Sequence, residues 1–251
     1  MLKILIIGIC GKMGTMLKDE FLKTPADYTV YGVDKLIAQD IENDTKNNPK
    51  IPTKWSSSLN MGDIAQVPIY TNIWSVNEKV DVIVDFSTQN DKKDSINYAL
   101  KTHTPLAIFS TTCSAESLEM MLKASKDIPV LYNQNASIGI NAIFDILPIL
   151  TKKLKNADTT LYEVHHKTKL DSPSGTAKKL IKVLEQNGQK NVQVFPLRAG
   201  TEFGYHEISF YLDDEVVTIS HRASSRKIFT LGAIDMIKKL VKKSSGFFDR
   251  L

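Results

Sequence analysis

Cysteine is scarce in this chain: Cys10 and Cys113 are its only two, and no Cys-x-x-Cys pair exists. That excludes a disulfide framework and a thiolate zinc site, and a reducing cytoplasm is the expected location. Long apolar runs are missing too. The longest uncharged stretch, Ile128 to Phe144, contains Asn133, Gln134, Asn135, Ser137 and Asn141, whereas a membrane span needs about 20 predominantly apolar residues. Between Lys3 and Gly8 stand only Ile4-Leu5-Ile6-Ile7, too little for the apolar core of a signal peptide. A strong excess of one charge is also lacking, with 32 Lys+Arg against 28 Asp+Glu. The lysine groups Lys152, Lys153, Lys155 and Lys238, Lys239, Lys242, Lys243 fall toward the ends of helical patterns, where cations complement the carbonyl end of the macrodipole. They are not interleaved with aromatics, so neither nucleic acid nor a membrane surface is an expected partner.

What is present is a chain of 251 residues with 42% hydrophobic and 24% charged residues, the balance of a globular protein of one large or two modest domains. Leu2–Ile7 is a near-continuous β-branched run, as in a parallel strand covered on both faces. A helical pattern through Met13, Met16, Leu17 and Phe21 follows. Strand-like runs then recur at Tyr28–Val33, Val80–Phe86, Leu106–Phe109 and Val130–Tyr132, with helical segments at Lys92–Leu100 and Ala115–Lys126. This βα alternation predicts a doubly wound parallel sheet. The polar stretch 36–77 has no pattern that assigns it.

Beyond Asn135 the periodicity changes. A helical pattern runs from Ile140 to Leu154, with a kink expected at Pro148. After it come a strand over Leu161–His165, a helix through Leu180–Leu184, a strand over Val192–Phe195, and a hairpin of Glu207–Leu212 with Val216–Ser220 across Asp213-Asp214. A last helical stretch spans Ile228 to Val241. The expected fold class is therefore α/β: a Rossmann-like doubly wound domain over 1–130, completed by 223–251. Residues 131–222 would form an α+β substrate and oligomerisation domain with a mixed, largely antiparallel sheet.

Gly8-Ile9-Cys10-Gly11-Lys12-Met13-Gly14 follows the first strand and opens a helix. Glycines there permit a tight turn and close approach of a pyrophosphate to the helix N-terminus. Asp34, twenty residues after Gly14, ends the second strand, where a carboxylate accepts hydrogen bonds from an adenosine ribose. Asp34 would repel a 2′-phosphate, which favours NADH, while Lys35 could neutralise one. Either NADH or NADPH is expected, with NADH slightly preferred. Ser110, Thr111 and Thr112 lie after another strand, at the sheet edge where ligands bind; with Asn133, Gln134, Asn135 and Ala136 they could border the nicotinamide.

The densest chemistry lies in Glu163-Val-His-His-Lys-Thr-Lys-Leu-Asp-Ser-Pro-Ser-Gly-Thr-Ala177. Four of the five histidines (His165, His166, His206, His221) fall in the second half, as if gathered around one site. Adjacent strand residues point to opposite faces, so His165 and His166 could share a ligand only if the strand ends there. With no carboxylate or thiolate at convincing ligand spacing, no metal site is expected. Ser174-Gly175-Thr176 opens a helix, and its free amides and hydroxyls would suit a carboxylate. With His165, His166 and Lys169 just before it, the segment points to a small acidic substrate.

These motifs resemble the 4-hydroxy-tetrahydrodipicolinate reductases (dihydrodipicolinate reductases). The resemblance also draws on Asp85-Phe-Ser87, Ser110-Thr-Thr112, Asn135-Ala-Ser-Ile-Gly-Ile-Asn141, Arg198-Ala-Gly200, Gly204-Tyr-His206-Glu, His221-Arg-Ala-Ser-Ser-Arg226 and Gly246-Phe-Phe-Asp. It covers nearly the whole chain except about 36–77, and the His-His segment is its most specific part. The resemblance implies NAD(P)H-dependent reduction of a cyclic dicarboxylate in the diaminopimelate route to lysine, by a homotetramer. By match to the family motif, His165 is the proton donor or acceptor and Lys169 a second donor. His166, Gly175 and Thr176 would hold substrate carboxylates, joined by Ser174 on the anion-site argument above. Gly8, Ile9, Cys10, Gly11, Lys12, Met13, Asp34, Lys35, Ser110–Thr112 and Asn133–Ala136 would hold the dinucleotide. The chain departs from the family's Gly-Thr-Thr-Gly at Ser110 and Cys113. Rival readings are another Rossmann-type reductase for a small acidic substrate, and a catalytically silent nucleotide sensor.

Overall fold

The computed structural model describes residues 1–35 and 67–251, so most of the unassigned stretch 36–77 lies outside the described residues. The chain divides into two compact units, Met1–Asn133 with Ala233–Leu251, and Gln134–Gly232.

The first unit is built on β1 (Leu2–Ile7), α1 (Lys12–Leu22), β2 (Tyr28–Val33), β3 (Ile69–Tyr70), β4 (Val82–Asp85), α2 (Lys93–Thr102), β5 (Leu106–Ile108), α3 (Ala115–Ala124) and β6 (Pro129–Tyr132). A last strand, β11 (Gly246–Phe248), completes its sheet in the order β11-β6-β5-β4-β1-β2-β3, parallel throughout. Ile4, Leu5, Ile6 and Val82–Val84 are wholly buried, which is why these strands read as continuous apolar runs. The strand order reverses between β1 and β4, the switch point at which an open α/β sheet leaves a crevice outside its carboxyl ends. Gly8 follows β1 and Ser87 follows β4 at that point. Two elements escaped sequence reading: β3, too short for a pattern, and β11, whose Gly-Phe-Phe has no alternation.

The second unit consists of α4 (Ile138–Lys153), β7 (Asp158–His165), α5 (Gly175–Gln186), β8 (Gln193–Arg198), β9 (Tyr205–Tyr211) and β10 (Val216–Arg222). Then α6 (Lys227–Leu240) leads back to the first unit. Helix α4 runs through Pro148 as one element of 16 residues. The sheet order is β10-β9-β7-β8, with β7 and β8 parallel and the other pairs antiparallel. β8 runs through Pro196 to Arg198, beyond the expected end at Phe195; it is an edge strand, where a missing amide breaks no ladder.

Strand alternation sorts this sheet into two faces. One face buries Leu161, Ile208 and Phe210 against Phe144, Leu147, Leu180 and Leu184 of α4 and α5. Toward the end of β7 the same face turns polar: Glu163 pairs across to His206, and His206 to His221, while His165 lies beside Arg198. The opposite face carries Phe195, Leu197, Tyr211 and Val216, each 45–53% exposed. Among the described residues no helix is long and apolar enough to cross a membrane.

Candidate active site

In the first unit the glycine loop has the geometry its sequence requires. Gly8 has φ +78°, and a Cβ there would lie 3.0 Å from the Ser87 amide nitrogen; a Cβ at Gly14 would lie 2.1 Å from the Gly8 carbonyl oxygen. Only glycine lets α1 start this close to β1. Gly11 caps α1 without a side-chain hydrogen bond, and no acidic residue occupies the first turn, so no carboxylate of the helix itself balances the positive end of its dipole. These features fit a dinucleotide. The Cys10 amide donates to Asp34 Oδ2 at 2.9 Å, tying the loop to the end of β2. Ile9 is buried, Lys12 is exposed and Met13 half-buried. Exposed Lys35 donates to Gln89 at 3.4 Å.

Beneath the loop, the fully buried Lys92 ammonium lies 3.2 Å from Asp85 Oδ1 and donates to the carbonyl and hydroxyl oxygens of Ser87 at 2.8 Å each. Asp85 also accepts from the Ser87 amide and hydroxyl. This network fixes the turn on which Gly8 rests. Ser110 is buried and its hydroxyl donates to the Thr112 carbonyl at 2.7 Å, while Thr111 and Thr112 are exposed. Burial pushes the Cys113 thiol up, which suits a packing role. Asn133 is buried and donates to the Asp249 carbonyl at 2.7 Å. Exposed Gln134, half-buried Asn135 and buried Ala136 belong to the second unit, where Asn135 donates to the Thr176 hydroxyl at 2.9 Å.

The second unit gathers His165, Lys169 and the start of α5. β7 ends at His165, as sharing a ligand with His166 requires. His166 stands half-exposed just beyond, with Nδ1 2.8 Å from the Thr168 hydroxyl. Burial, then the cations Arg226 and Lys169, push the His166 imidazole down. Lys169 pairs with Asp171 Oδ1 at 2.7 Å.

Three participants carried no role in the sequence reading. Glu163 is wholly buried, and its Oε1 accepts from the Ser174 amide at 2.9 Å and Arg198 at 3.0 Å. Its Oε2 lies 3.2 Å from His165 Nδ1 and 3.5 Å from His206 Nε2. Burial opposes its ionisation, but the contacts with His165, His206 and Ser174 outweigh that and hold the carboxyl well below the usual range. The expectation that no carboxylate stands at ligand spacing is thus corrected: Glu163, His165 and His206 bring three ligand-type atoms within 4.8 Å of one another. The i, i+2 spacing of Glu163 and His165 on one strand face was the available signal. Arg198 and Asp171 depend on strand pairing and loop path, which no spacing encodes.

The amides opening α5 are also not all free. Gly175 donates to Asp171 Oδ2 at 3.2 Å and Ala177 to Ser174 Oγ at 3.1 Å. The Ser174 hydroxyl, also 3.2 Å from His206 Nε2, is buried; it caps the helix and props His206. Thr176 and Gly175 remain accessible, and a Cβ on Gly175 would meet nothing within 4 Å.

The N-terminal description of dihydrodipicolinate reductase matches residues 2–136 and the C-terminal description matches residues 139–250. A 4-hydroxy-tetrahydrodipicolinate reductase from Rickettsia rickettsii is 35% identical over 213 residues, 79% of this chain and 85% of that one. One from Caldanaerobacter subterraneus is 29% identical over 99% of this chain and 96% of its own. Among solved structures, a dipicolinate-bound dihydrodipicolinate reductase from Paenisporosarcina superposes with a TM-score of 0.79 at 19% identity, covering 99% of this chain and 98% of that one. A myo-inositol 2-dehydrogenase from Lactobacillus plantarum shares the fold at a TM-score of 0.60 and 12% identity, so the architecture by itself does not choose a substrate. The sequence matches across both halves do choose: this chain belongs to the dihydrodipicolinate reductase family.

Proposed function

We propose that this chain reduces 4-hydroxy-tetrahydrodipicolinate to tetrahydrodipicolinate, with His165 and Lys169 handling protons and the start of α5 holding a substrate carboxylate. As a member of its family it is an NAD(P)H-dependent oxidoreductase of the diaminopimelate route to lysine. The observation that carries the site assignment is Gly175. Its φ is not in the left-handed region and a side chain there would meet nothing, so folding does not demand glycine. Close approach of a ligand to the backbone does.

The dinucleotide is assigned to Gly8–Met13, Asp34, Lys35, Ser110–Thr112 and Asn133–Ala136, and when bound it supplies the hydride. His165, at the end of β7, delivers or takes up a proton as charge develops on the substrate ring. Lys169 adds a cation and a second proton. His166, Gly175 and Thr176 take the carboxylates, and Ser174 supports them from below. The dicarboxylate is of the kind bound to the Paenisporosarcina reductase. The silent-sensor reading gives no reason for His165 and Lys169 to converge on an accessible glycine.

Homotetramer formation is supported by the uncovered face of the second sheet, where Phe195, Leu197, Tyr211 and Val216 form an apolar surface of the sort that partner subunits cover. A cytoplasmic location is supported by the scarcity of cysteine, Cys10 and Cys113 alone, and by the biosynthetic role. NADH is slightly preferred over NADPH because the Asp34 carboxylate at the end of β2 would repel a 2′-phosphate; KM for both, repeated in Lys35→Ala, measures how far Lys35 admits the 2′-phosphate. The function is tested by supplying freshly generated hydroxy-tetrahydrodipicolinate and following nicotinamide absorbance. His165→Gln should lower kcat about 10²-fold or more and leave NADH affinity unchanged; full turnover in that variant would overturn the assignment.

A further inference from the structure

We propose that Glu163 is a positioning residue: its buried carboxylate keeps the ring proton of neutral His165 on Nδ1 and so leaves the Nε2 lone pair on the side of the ring that faces Gly204. The inference rests on His165 being the group that handles the substrate proton, and it adds what determines which nitrogen does so.

The carboxylate is fixed before it meets the imidazole. Glu163 Oε1 is held by the Ser174 amide on one side and the Arg198 guanidinium on the other, and Arg198 also donates to the Asp171 carbonyl. With Oε1 so engaged, Oε2 is directed at the imidazoles, 3.2 Å from His165 Nδ1. A lone pair on Nδ1 would face an anionic oxygen at that distance; a proton there is attracted instead. The N–H axis is not well aligned with Oε2, as is common before a substrate tightens a catalytic hydrogen bond.

His206 is the other claimant on Oε2. It stands farther off, at 3.5 Å, and its Nε2 has a nearer partner in the Ser174 hydroxyl at 3.2 Å. The groups around this carboxylate are therefore Arg198 from β8, His206 from β9 and the Ser174 amide from the start of α5, with His165 on its own strand. Of the two ring nitrogens of His165, Nδ1 faces this shell and Nε2 faces away.

Gly204 completes the arrangement. It has φ +152°, and a Cβ built on it would lie 3.2 Å from His165 Nε2. Any other residue would press a methyl group against that nitrogen. The glycine before β9 thus keeps a side chain off Nε2 while Glu163 holds the opposite edge of the ring, which is how a carboxylate prepares an imidazole for proton transfer.

The test is imidazole nitrogen NMR on the full chain, read at alkaline pH. Wild-type His165 should show the proton on Nδ1. In Glu163→Gln the population should move toward the Nε2-protonated form, and kcat should fall about 10²-fold while KM for substrate and for NADH stays unchanged. Glu163→Asp, which keeps a carboxylate, should recover part of kcat. An Nε2-protonated ring in the wild type overturns the proposal, and that result needs no variant to fold. A ring unchanged in Glu163→Gln overturns it equally. Full turnover in His165→Gln would instead overturn the proton-handling role of His165, and it is distinguishable because the wild-type tautomer is read without turnover.

Discussion

The carboxylate of Asp171 lies 2.7 Å from the ammonium of Lys169, and its second oxygen accepts the Gly175 amide at 3.2 Å. Lys169 and Gly175 are two of the groups proposed to hold the substrate, and Asp171 engages both of them, so it is proposed to compete with a substrate carboxylate. Asp171→Asn removes the charge and keeps the shape. Pyridine-2,6-dicarboxylate should then bind several-fold more tightly by calorimetry. Weaker binding would mean that Asp171 instead organises the loop for the ligand.

Acid should unfold this protein in two stages. Burial pushes the imidazoles of His206 and His221 below their ordinary value of 6.5. The unfolded chain therefore binds more protons as pH falls through 6.5, and stability falls with it. Glu163 is held well below its ordinary 4.5, so its contribution is complete above that value and is lost only at lower pH. Thermal melts across the neutral to acid range should show Tm declining from about pH 6.5, with the first decline reduced in His206→Gln. A Tm that stays level down to the carboxylate range would exclude the imidazole contribution.

Lys92 and Asp85 form an ion pair with side chains 0% and 3% exposed. Removing one partner of such a pair leaves a buried charge, and Lys92→Met should cost about 3–5 kcal/mol in urea unfolding. The double variant Lys92→Met with Asp85→Leu should recover much of that loss. If the single variant is as stable as wild type, the pair does not hold the turn under Gly8.

Two glycines should behave oppositely. A Cβ at Gly14 would lie 2.1 Å from the Gly8 carbonyl oxygen, so Gly14→Ala should lower Tm and weaken NADH binding together. At Gly175 the space is open, and Gly175→Ala should change stability by no more than about 0.5 kcal/mol. Its effect should appear in substrate KM. An unchanged KM would remove Gly175 from the carboxylate site.

The sequence displayed the first sheet clearly because strands buried on both faces are unbroken apolar runs and glycines mark the turn after β1. It displayed the second sheet less well. β8 looked shorter than it is because Pro196 normally ends a strand, and only its edge position, a property of the assembled sheet, permits it. His165, His166 and Lys169 were legible from residue type and proximity. Glu163 was legible in principle, two residues from His165 on one strand face, yet its meaning depends on Arg198 and Ser174, which lie 35 and 11 residues away in the chain. The supposed free amides of α5 failed for the same reason: Asp171 reaches one of them only through the path of the loop.

β11 lies outermost beside β6, with Phe247 paired to Val130. The last residues of the chain thereby occupy the backbone donors and acceptors of β6, and Asn133 grips the carbonyl of Asp249. A chain cut before Gly246 would keep every residue assigned to chemistry, yet it would expose β6 as a bare sheet edge, a template for pairing with another molecule. Such a protein would be lost to self-association before it was lost to inactivity.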